Sequence, residues 1–418
     1  MMPRKLKLGM IFILMIAVLM NFAFVGCKPT ESGDSEQSEQ TEEVKDFSGV
    51  QLRVAAYRNL KTDSLNMSYG LGGDEFLKKY PGSNIEYMTA GSTGGAQELV
   101  AAVTSGDPWN LQLTIGPAIP NIFKEGLYEP LDDLVDENNP IYSKVTLDTV
   151  KWDGKLYGIN NVMMNDFYYL VYNESMLKDY GIKTPYEYYE EGAWNWESFL
   201  KLIDDLNQNN IACEIFYDKP ILSRYSHTWN DDGTIEITYD SKENQEWLEF
   251  IRTLMYEKKV PHGRRSNVQK RATAFKVDIL PDILIQTINE PTEDVIRYIP
   301  FPEKDGSITT YMVDYSFSIP KGAKDKEAAI ELANYMIKSR TEYMENLYKE
   351  NMLPEDYEIF KKALENGYVV RAVVWGKGFN ELKTEFPAGK PVSTAISEVI
   401  DSMKAAAEKW NNEIKGNQ

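Results

Sequence analysis

The fold is decided by residues 153–199, which read DGKLYGINNVMMNDFYYLVYNESMLKDYGIKTPYEYYEEGAWNWESF. Asp153-Gly154 is a turn signal, Lys155 to Ile159 has the pattern of a short strand, and Phe167 to Tyr172 has that of a second strand. Four polar residues separate the two strands: Asn160, Asn161, Asn165 and Asp166. Such a patch suits a hinge beside a ligand cleft, because the backbone must bend there and hydrogen-bonding groups must face the ligand.

A series of short motifs runs along the chain. Four lie in the stretch quoted above: D-G-K-L-Y-G-I (153–159), V-Y-N-E-S-M-L (171–177), G-I-K-T-P (181–185) and W-N-W-E-S-F (194–199). Four lie outside it: T-S-G-D-P (104–108), G-L-Y-E-P-L-D-D-L (126–134), Y-I-P-F-P (298–302) and S-I-P-K-G-A-K-D-K-E-A-A (318–329). In order and spacing this series resembles the family 1 extracellular solute-binding proteins, the ligand receptors of bacterial ABC importers for sugars and oligosaccharides.

The resemblance implies an α/β, two-lobed periplasmic-binding-protein-like fold of type II. Each lobe is then a mixed sheet flanked by helices, and the cleft between the lobes closes on ligand by hinge bending. It implies that the chain crosses between lobes near 160–164, 296–300 and 318–323. One lobe is therefore expected over 46–161 plus 299–320, and the other over 162–298 plus 321–418.

The N-terminal residues 1–26 have the features of a secretory signal peptide: a basic start, an apolar run over 8–25 and a small residue at Gly26. Cys27 follows directly, and the arrangement resembles a lipobox, whose Cys receives a diacylglycerol, although Phe24 stands where Leu is usual. This predicts a protein that is secreted and lipid-anchored to the outer face of the cytoplasmic membrane. The alternative is an uncleaved membrane anchor, but an apolar run of this length barely spans a bilayer.

Composition restricts the class of protein further. A chain of 418 residues is too long for one ordinary core and suits two lobes. Its net charge of −19 disfavours nucleic-acid binding, which needs basic surface. Residues 27–45 are acidic and poor in apolar side chains, which predicts a disordered tether. We expect a monomer that needs no cofactor and whose partners are a sugar, the membrane and an ABC permease.

Catalysis is the rival class of function. The two histidines, His227 and His262, lack ligand-like spacing, and neither an H-E-x-x-H nor a G-x-S-x-G motif occurs. With Cys27 lipidated, Cys213 stands alone in a strand-like apolar run and is expected to be an inert core thiol. Paired carboxylates for glycoside hydrolysis stay open, because 64 acidic residues make many pairs. Binding of a peptide or another solute, and a sensor or adhesin role, also stay open.

Apolar periodicity predicts the elements around the central stretch. Gln51 to Tyr57 and Leu111 to Ile115 are expected strands with a helix near 96–103 between them, a β–α–β rhythm typical of an α/β lobe. Two later strands are expected, over 295–299 and 314–319. Four later helices are expected: one capped by Asn195, one from about Ser241, one over 325–338 and one along 396–414.

A sugar presents hydroxyl groups at its rim and C–H bonds on its faces, so a receptor offers carboxylates, amides and Arg together with aromatic rings. Asp166 is the first candidate, because the resemblance to maltose-binding relatives implies a ligand-binding acid seven residues before Asn173. Its alternative is a solvated hinge residue. Further polar candidates lie in the hinge, at strand ends and in a Gly-rich loop: Asn165, Tyr168, Tyr57, Arg58, Asn59, Ser92, Thr114, Asp314 and Tyr315.

Two tryptophans are candidates for stacking on the ligand. Trp375 lies in V-V-W-G-K-G, where the resemblance implies a stacking aromatic, and Trp229 lies beside a polar run. The alternative for both is core packing. Residues 280–289 depart from the pattern of many sugar-binding relatives, which have an aromatic ring there. The ligand is therefore expected to be smaller, or to be held differently.

Overall fold

The structure is a computed structural model, and it describes residues 45–62, 67–90, 96–115, 123, 125–217, 219–230, 232–263, 266–369 and 379–416. Its strands are β1 (Gln51–Ala56), β2 (Asn84–Thr89), β3 (Leu111–Ile115), β4 (Lys151–Trp152), β5 (Lys155–Leu156), β6 (Asp166–Asn173), β7 (Glu214–Ile215), β8 (His227–Trp229), β9 (Ile235–Ile237), β10 (Phe275–Ile279), β11 (Ile296–Pro300), β12 (Tyr311–Val313), β13 (Tyr315–Ser318) and β14 (Tyr368–Val369).

Its α-helices are α1 (Met67–Lys79), α2 (Ala96–Ser105), α3 (Lys144–Leu147), α4 (Glu174–Asp179), α5 (Pro185–Glu190), α6 (Trp196–Gln208), α7 (Lys219–Leu222), α8 (Lys242–Arg252), α9 (Leu280–Asn289), α10 (Lys326–Asn351), α11 (Pro354–Glu365), α12 (Phe379–Glu385) and α13 (Val392–Gly416). Short 3-10 turns cover Asp148–Val150 and Val162–Met164, and a π-helical turn covers Thr253–Glu257.

The first sheet has the strand order β13-β3-β1-β2. β1 pairs in parallel with β2 and β3, as the β–α–β rhythm predicts, while β13 joins β3 in antiparallel orientation. Val54, Leu111 and Phe317 of this sheet are fully buried in a core that also receives α1 and the first half of α10. The two helices approach closely because Gly72 has no side chain: a Cβ there would lie 2.5 Å from the carbonyl oxygen of Tyr335.

The second sheet has the order β14-β12-β6-β10-β7, and β11 also pairs with β6. β10 runs along one edge of β6, while β11 and then β12 pair along the other. Phe167 to Tyr172 is therefore buried throughout, with at most 2% of any side chain exposed. A separate hydrophobic core surrounds this sheet and includes Trp247, Leu202 and Met344. Two sheets with two cores give the two-lobed α/β fold that the sequence predicts.

The chain passes between the two sheets three times. The first passage lies at 160–165, between Ile159, which bridges to Phe317 of the first sheet, and Asp166, which opens β6. The second lies at Asp314, between β12 and β13, so the predicted crossing at 296–300 was wrong. The third lies inside α10, whose Ile337 belongs to the first core and whose Met344 belongs to the second. The predicted crossing at 318–323 was therefore also wrong.

These passages correct the predicted lobe boundaries. Residues 299–313 belong to the second lobe, because β11 and β12 form hydrogen-bonded ladders with β6. Residues 321–337 belong to the first lobe, because the apolar side chains of the first half of α10 are buried against α1. Both corrections concern partners that are distant in sequence and that apolar periodicity does not identify.

Local signals were more reliable. The Asn195 side chain accepts a hydrogen bond from the backbone of Ser198 and caps α6, and Ser241 caps α8 in the same way. The predicted strand at 155–159 is shorter, and the helix predicted over 325–338 is longer. Cys213 is buried, and burial raises the pKa of its thiol to about 12, as expected of an inert core thiol. In the described ranges, no helix combines the length and apolar character that a membrane span requires.

Candidate ligand-binding site

Four predicted residues come together where the chain first enters the second sheet. We call them the Asp166 cluster: Asp166, Tyr315, Tyr57 and Arg58. Asp166 is the first residue of β6, and Tyr315 is the first residue of β13. The hydroxyl of Tyr315 donates a hydrogen bond of 2.8 Å to Oδ2 of Asp166. The bond therefore joins a residue of the second lobe to one of the first.

Tyr57 and Arg58 extend this cluster on the first lobe. Both follow β1, whose carboxyl end meets that of the adjacent parallel strands. The rings of Tyr57 and Tyr315 stack with centroids 5.9 Å apart, and their hydroxyl oxygens are 3.4 Å apart. The guanidinium carbon of Arg58 lies 5.3 Å from the centroid of the Tyr57 ring. The cluster thus combines an acid, a cation and two rings, which are the groups that a polyhydroxylated ligand requires.

Arg340 and Asp282 also act on this cluster. Arg340 is buried in α10 where the helix passes between the lobes, and its guanidinium carbon lies 5.4 Å from the ring centroid of Tyr69. Asp282 lies in the first turn of α9. Sequence analysis did not identify either residue. Asp282 falls in the run 280–289, which was singled out only for its missing ring, and no local signal marks Arg340 as part of a site.

The pKa of the Asp166 carboxyl group is shifted towards neutral pH. The pKa of Asp166 is raised to about 6, chiefly by burial and also by the charge of Asp282, while the Tyr315 hydroxyl, Arg340 and Arg58 lower it. Asp166 as a residue is half-buried. A carboxyl group in this setting gains from a ligand hydroxyl that donates a hydrogen bond to it.

The raised pKa predicts a pH-dependent effect of Asp166→Asn on stability. Because the pKa of Asp166 is higher in the folded than in the unfolded protein, the protonated carboxyl contributes stability. This contribution is fully present below the ordinary pKa of Asp and is lost as the pH rises through about 6. Asparagine removes the half-buried charge, so the variant is expected to be more stable than wild type by about 1–2 kcal/mol at about pH 8 and nearly equal to it in stability at about pH 4. Urea unfolding at both pH values measures this, and an equal difference at both would contradict it.

Several other predicted residues are engaged in the fold. The amide of Asn165 accepts a hydrogen bond from the backbone of Tyr315, and Asp314 accepts one of 2.6 Å from the Thr149 hydroxyl. Both are buried at the passages between the lobes. Thr114 is fully buried, and its hydroxyl bonds to Ser316. These three fix the hinge strands or the first sheet, so we leave them out of the proposed site.

The remaining predicted residues have other contacts in the fold or lie outside the described residues. The Asn59 side chain accepts hydrogen bonds from the backbone of Lys61 and Thr62 and so caps its own turn. Tyr168 is buried within β6. Trp229 packs edge-on against Trp410, with centroids 5.9 Å apart, in a separate apolar cluster. Three predicted residues fall outside the residues that the structure describes: Cys27, Ser92 and Trp375. Ligand binding by Ser92 and Trp375 stays a prediction.

The part of the chain that the structure describes contains no candidate metal site, because no three or more His, Cys, Asp or Glu side chains lie together there.

Comparison with known proteins identifies the family. A family model described as bacterial extracellular solute-binding protein matches residues 68–343, which is more than half of the chain. The chain therefore belongs to the bacterial extracellular solute-binding proteins, a family of binding proteins. No match was found among curated proteins.

Solved structures share the fold at low sequence identity. An ABC substrate-binding protein from Listeria monocytogenes in complex with cycloalternan is 17% identical, with a TM-score of 0.63 over 86% of this chain and 99% of that one. The sugar-binding protein MalE from Xanthomonas citri is 14% identical, with a TM-score of 0.66 over 87% and 98%. UgpB from Mycobacterium tuberculosis in complex with glycerophosphocholine is 12% identical, with a TM-score of 0.65 over 86% and 99%. These likenesses establish the two-lobed fold.

Proposed function

We propose that this protein is a lipid-anchored receptor that captures a sugar or oligosaccharide between its lobes and delivers it to an ABC permease. The observation that carries the proposal is the Asp166 cluster, which unites Tyr57 and Tyr315 of the first lobe with Asp166 of the second. A ligand held there contacts both lobes at once and favours their closed arrangement. We infer that Asp166 accepts hydrogen bonds from ligand hydroxyl groups and that the paired tyrosines face the ring of the sugar.

The ligands of similar structures support a sugar. Their descriptions name cycloalternan for the protein from Listeria monocytogenes and maltotetraose for a cyclo/maltodextrin-binding protein that is 15% identical to this chain, with a TM-score of 0.64 over 87% of this chain and 98% of that one. A second candidate class is a smaller polar solute, since UgpB carries glycerophosphocholine. The absence of an aromatic ring from residues 280–289 favours this second class.

A thermal-shift screen of the purified full chain tests the class of ligand. Mono- and oligosaccharides, glycerophosphocholine, amino acids and short peptides are compared, because a ligand that binds only the folded state raises the melting temperature. We expect a rise with one class of sugar and no turnover of the bound sugar. A rise with peptides or amino acids alone would contradict the sugar, and hydrolysis of the ligand would contradict the receptor role.

Delivery to a permease is tested in the producing cell. Deletion of the gene is expected to abolish uptake of the ligand found in the screen. Undiminished uptake would instead favour the sensor or adhesin role that the sequence leaves open.

If Cys27 carries the lipid anchor, Cys27→Ser is expected to change how the protein partitions between detergent and water. Wild-type protein from membranes is expected to enter the detergent phase of a Triton X-114 extraction, and the variant is expected to lose this partition, because one thioether-linked diacylglycerol supplies the anchor. Cys213→Ser is the matched control and is expected to stay in the detergent phase, since Cys213 is a buried core residue. A Cys27→Ser protein that still partitions into detergent would favour an uncleaved anchor formed by residues 8–25.

A further inference from the structure

Trp152 lies in the β4–β5 hairpin of the first lobe. The neighbouring Val150 and Leu156 are fully buried in the first core, and one part of the Trp152 ring packs against that core. The ring is only partly buried by it. The rest of the ring reaches a second surface that belongs to the other lobe.

That second surface is formed by the β8–β9 hairpin and the last turns of α13. The Trp152 and Trp410 rings pack edge to face with centroids 5.7 Å apart. Trp410 donates a hydrogen bond of 3.0 Å from Nε1 to the carbonyl oxygen of Gly233, which ties the helix to the hairpin. Ile235 and Ile414 complete this small apolar cluster. The earlier turns of α13 are anchored in the core of the second lobe, where Ala395, Ile396 and Met403 are buried.

Gly233 allows this close contact because it has no side chain. Its backbone has φ +76°, and a Cβ on it would lie 2.6 Å from Cζ3 of Trp152. A side chain at this position would therefore both strain the turn and displace the Trp152 ring. The fit is specific to a flat ring of the first lobe lying on a bare glycine of the second.

We propose that Trp152 sets the affinity of this receptor from outside the ligand site, by clasping the first lobe to the β8–β9 hairpin and α13 of the second. The proposal rests on the proposed function, in which ligand binding requires one particular arrangement of the lobes. None of Trp152, Gly233 and Trp410 belongs to the three segments that pass between the lobes, so the clasp stabilises one arrangement without forming the hinge. Its loss changes the populations of the arrangements, and the affinity changes with the population that is competent to bind.

Trp152→Ala and Trp229→Ala are the matched variants. Each variant removes one ring that packs edge to face on Trp410; the centroid distances are 5.7 Å for Trp152 and 5.9 Å for Trp229. Only Trp152 belongs to the first lobe. Trp152→Ala is expected to change the Kd of the ligand by about threefold or more, the range that one aromatic pair produces, and Trp229→Ala by less than about twofold. Unchanged affinity in Trp152→Ala, or equal changes in both variants, would overturn the proposal.

Gly233→Ala tests the contact from the opposite lobe. It is expected to change the Kd in the same direction as Trp152→Ala, because the new methyl group displaces the ring. Gly233→Ala is expected to lower the urea midpoint less when Trp152 is already replaced by alanine. In that background the clash with the ring is gone, and only the backbone strain remains. Equal lowering in both backgrounds would contradict the contact.

A measurement without ligand separates this proposal from the proposed function. Spin labels at Lys78→Cys in α1 and Lys201→Cys in α6 report the distance between lobes, in a Cys27→Ser chain whose Cys213 is buried. Trp152→Ala is expected to shift this distance distribution, with weaker binding if the lobes move apart and tighter binding if they approach. An unchanged distribution would overturn the clasp, whereas failure to find any sugar ligand would contradict only the proposed function.

Discussion

Replacing Asp166 by alanine is expected to weaken binding of the ligand by about 10- to 100-fold, which is the effect of losing hydrogen bonds to a charged group. The carboxyl lies at the passage into the second sheet and is held by the Tyr315 hydroxyl at 2.8 Å. Isothermal titration calorimetry with the sugar found by thermal shift measures the loss. Tyr315→Phe removes the hydroxyl that orients the carboxyl, and we expect it to weaken binding less, by about threefold to tenfold.

The control for this prediction is an aspartate that lies on the surface of the first lobe. Asp133 is exposed, and Asp133→Ala is expected to bind with wild-type affinity. Circular dichroism and the urea midpoint check that the Asp166 variant is folded. Wild-type affinity in a folded Asp166→Ala protein would remove the Asp166 cluster from the ligand site. Trp375→Ala, which is also predicted to weaken binding, tests the stacking residue independently.

Replacing Arg297 by methionine is expected to destabilise the protein by about 3–5 kcal/mol, the cost of leaving a buried charge without its partner. Arg297 and Asp356 are 5% and 1% exposed, and Nη2 of Arg297 lies 2.7 Å from Oδ1 of Asp356. The second carboxyl oxygen accepts a hydrogen bond from the backbone of Tyr298. The Tyr186 ring covers the guanidinium carbon at 3.5 Å. This ion pair fastens the start of α11 onto β11.

Two further variants define the origin of that effect. Arg297→Met combined with Asp356→Leu removes the buried pair and is expected to recover part of the lost stability. The recovery is incomplete because Glu174, which is buried and lies 3.3 Å from Arg297, keeps only Lys178 as its ion-pair partner among the described residues. Lys304→Met is the matched surface control: its ammonium group lies 2.8 Å from Glu246, but the two side chains are 59% and 37% exposed. It is expected to cost less than about 1 kcal/mol in urea unfolding. Equal losses for Arg297→Met and Lys304→Met would contradict the role of burial.

Much of the local structure was accessible from the sequence. Asn195 and Ser241 cap their helices as expected, and β3 spans the predicted Leu111–Ile115. A cap depends on a hydrogen bond that spans three residues, and a strand on alternation within a few residues. Motif order was also sufficient for the family.

The candidate site was predictable only in part. Asp166, Tyr315, Tyr57 and Arg58 were named in advance, and the structure brings these four together. Thr114 was named by the same argument, that it lies at a strand end, but its side chain faces the interior of the first lobe. Elements from elsewhere in the chain decide which face of a sheet is covered. Position at a strand end therefore does not tell whether a side chain joins the candidate site, as Tyr315 does, or is buried in the lobe, as Thr114 is.

The sequence by itself determined the class of fold, the family and the helix caps, because these depend on neighbours within a few residues or on motif order. Only the tertiary structure decided the passages at Asp314 and within α10, and the influence of Arg340 on Asp166. It alone decided the contact of Trp152 with Gly233 and Trp410. Each of these depends on which distant strand or helix supplies a buried partner, and that choice is made by the packing of the whole chain rather than by a local pattern.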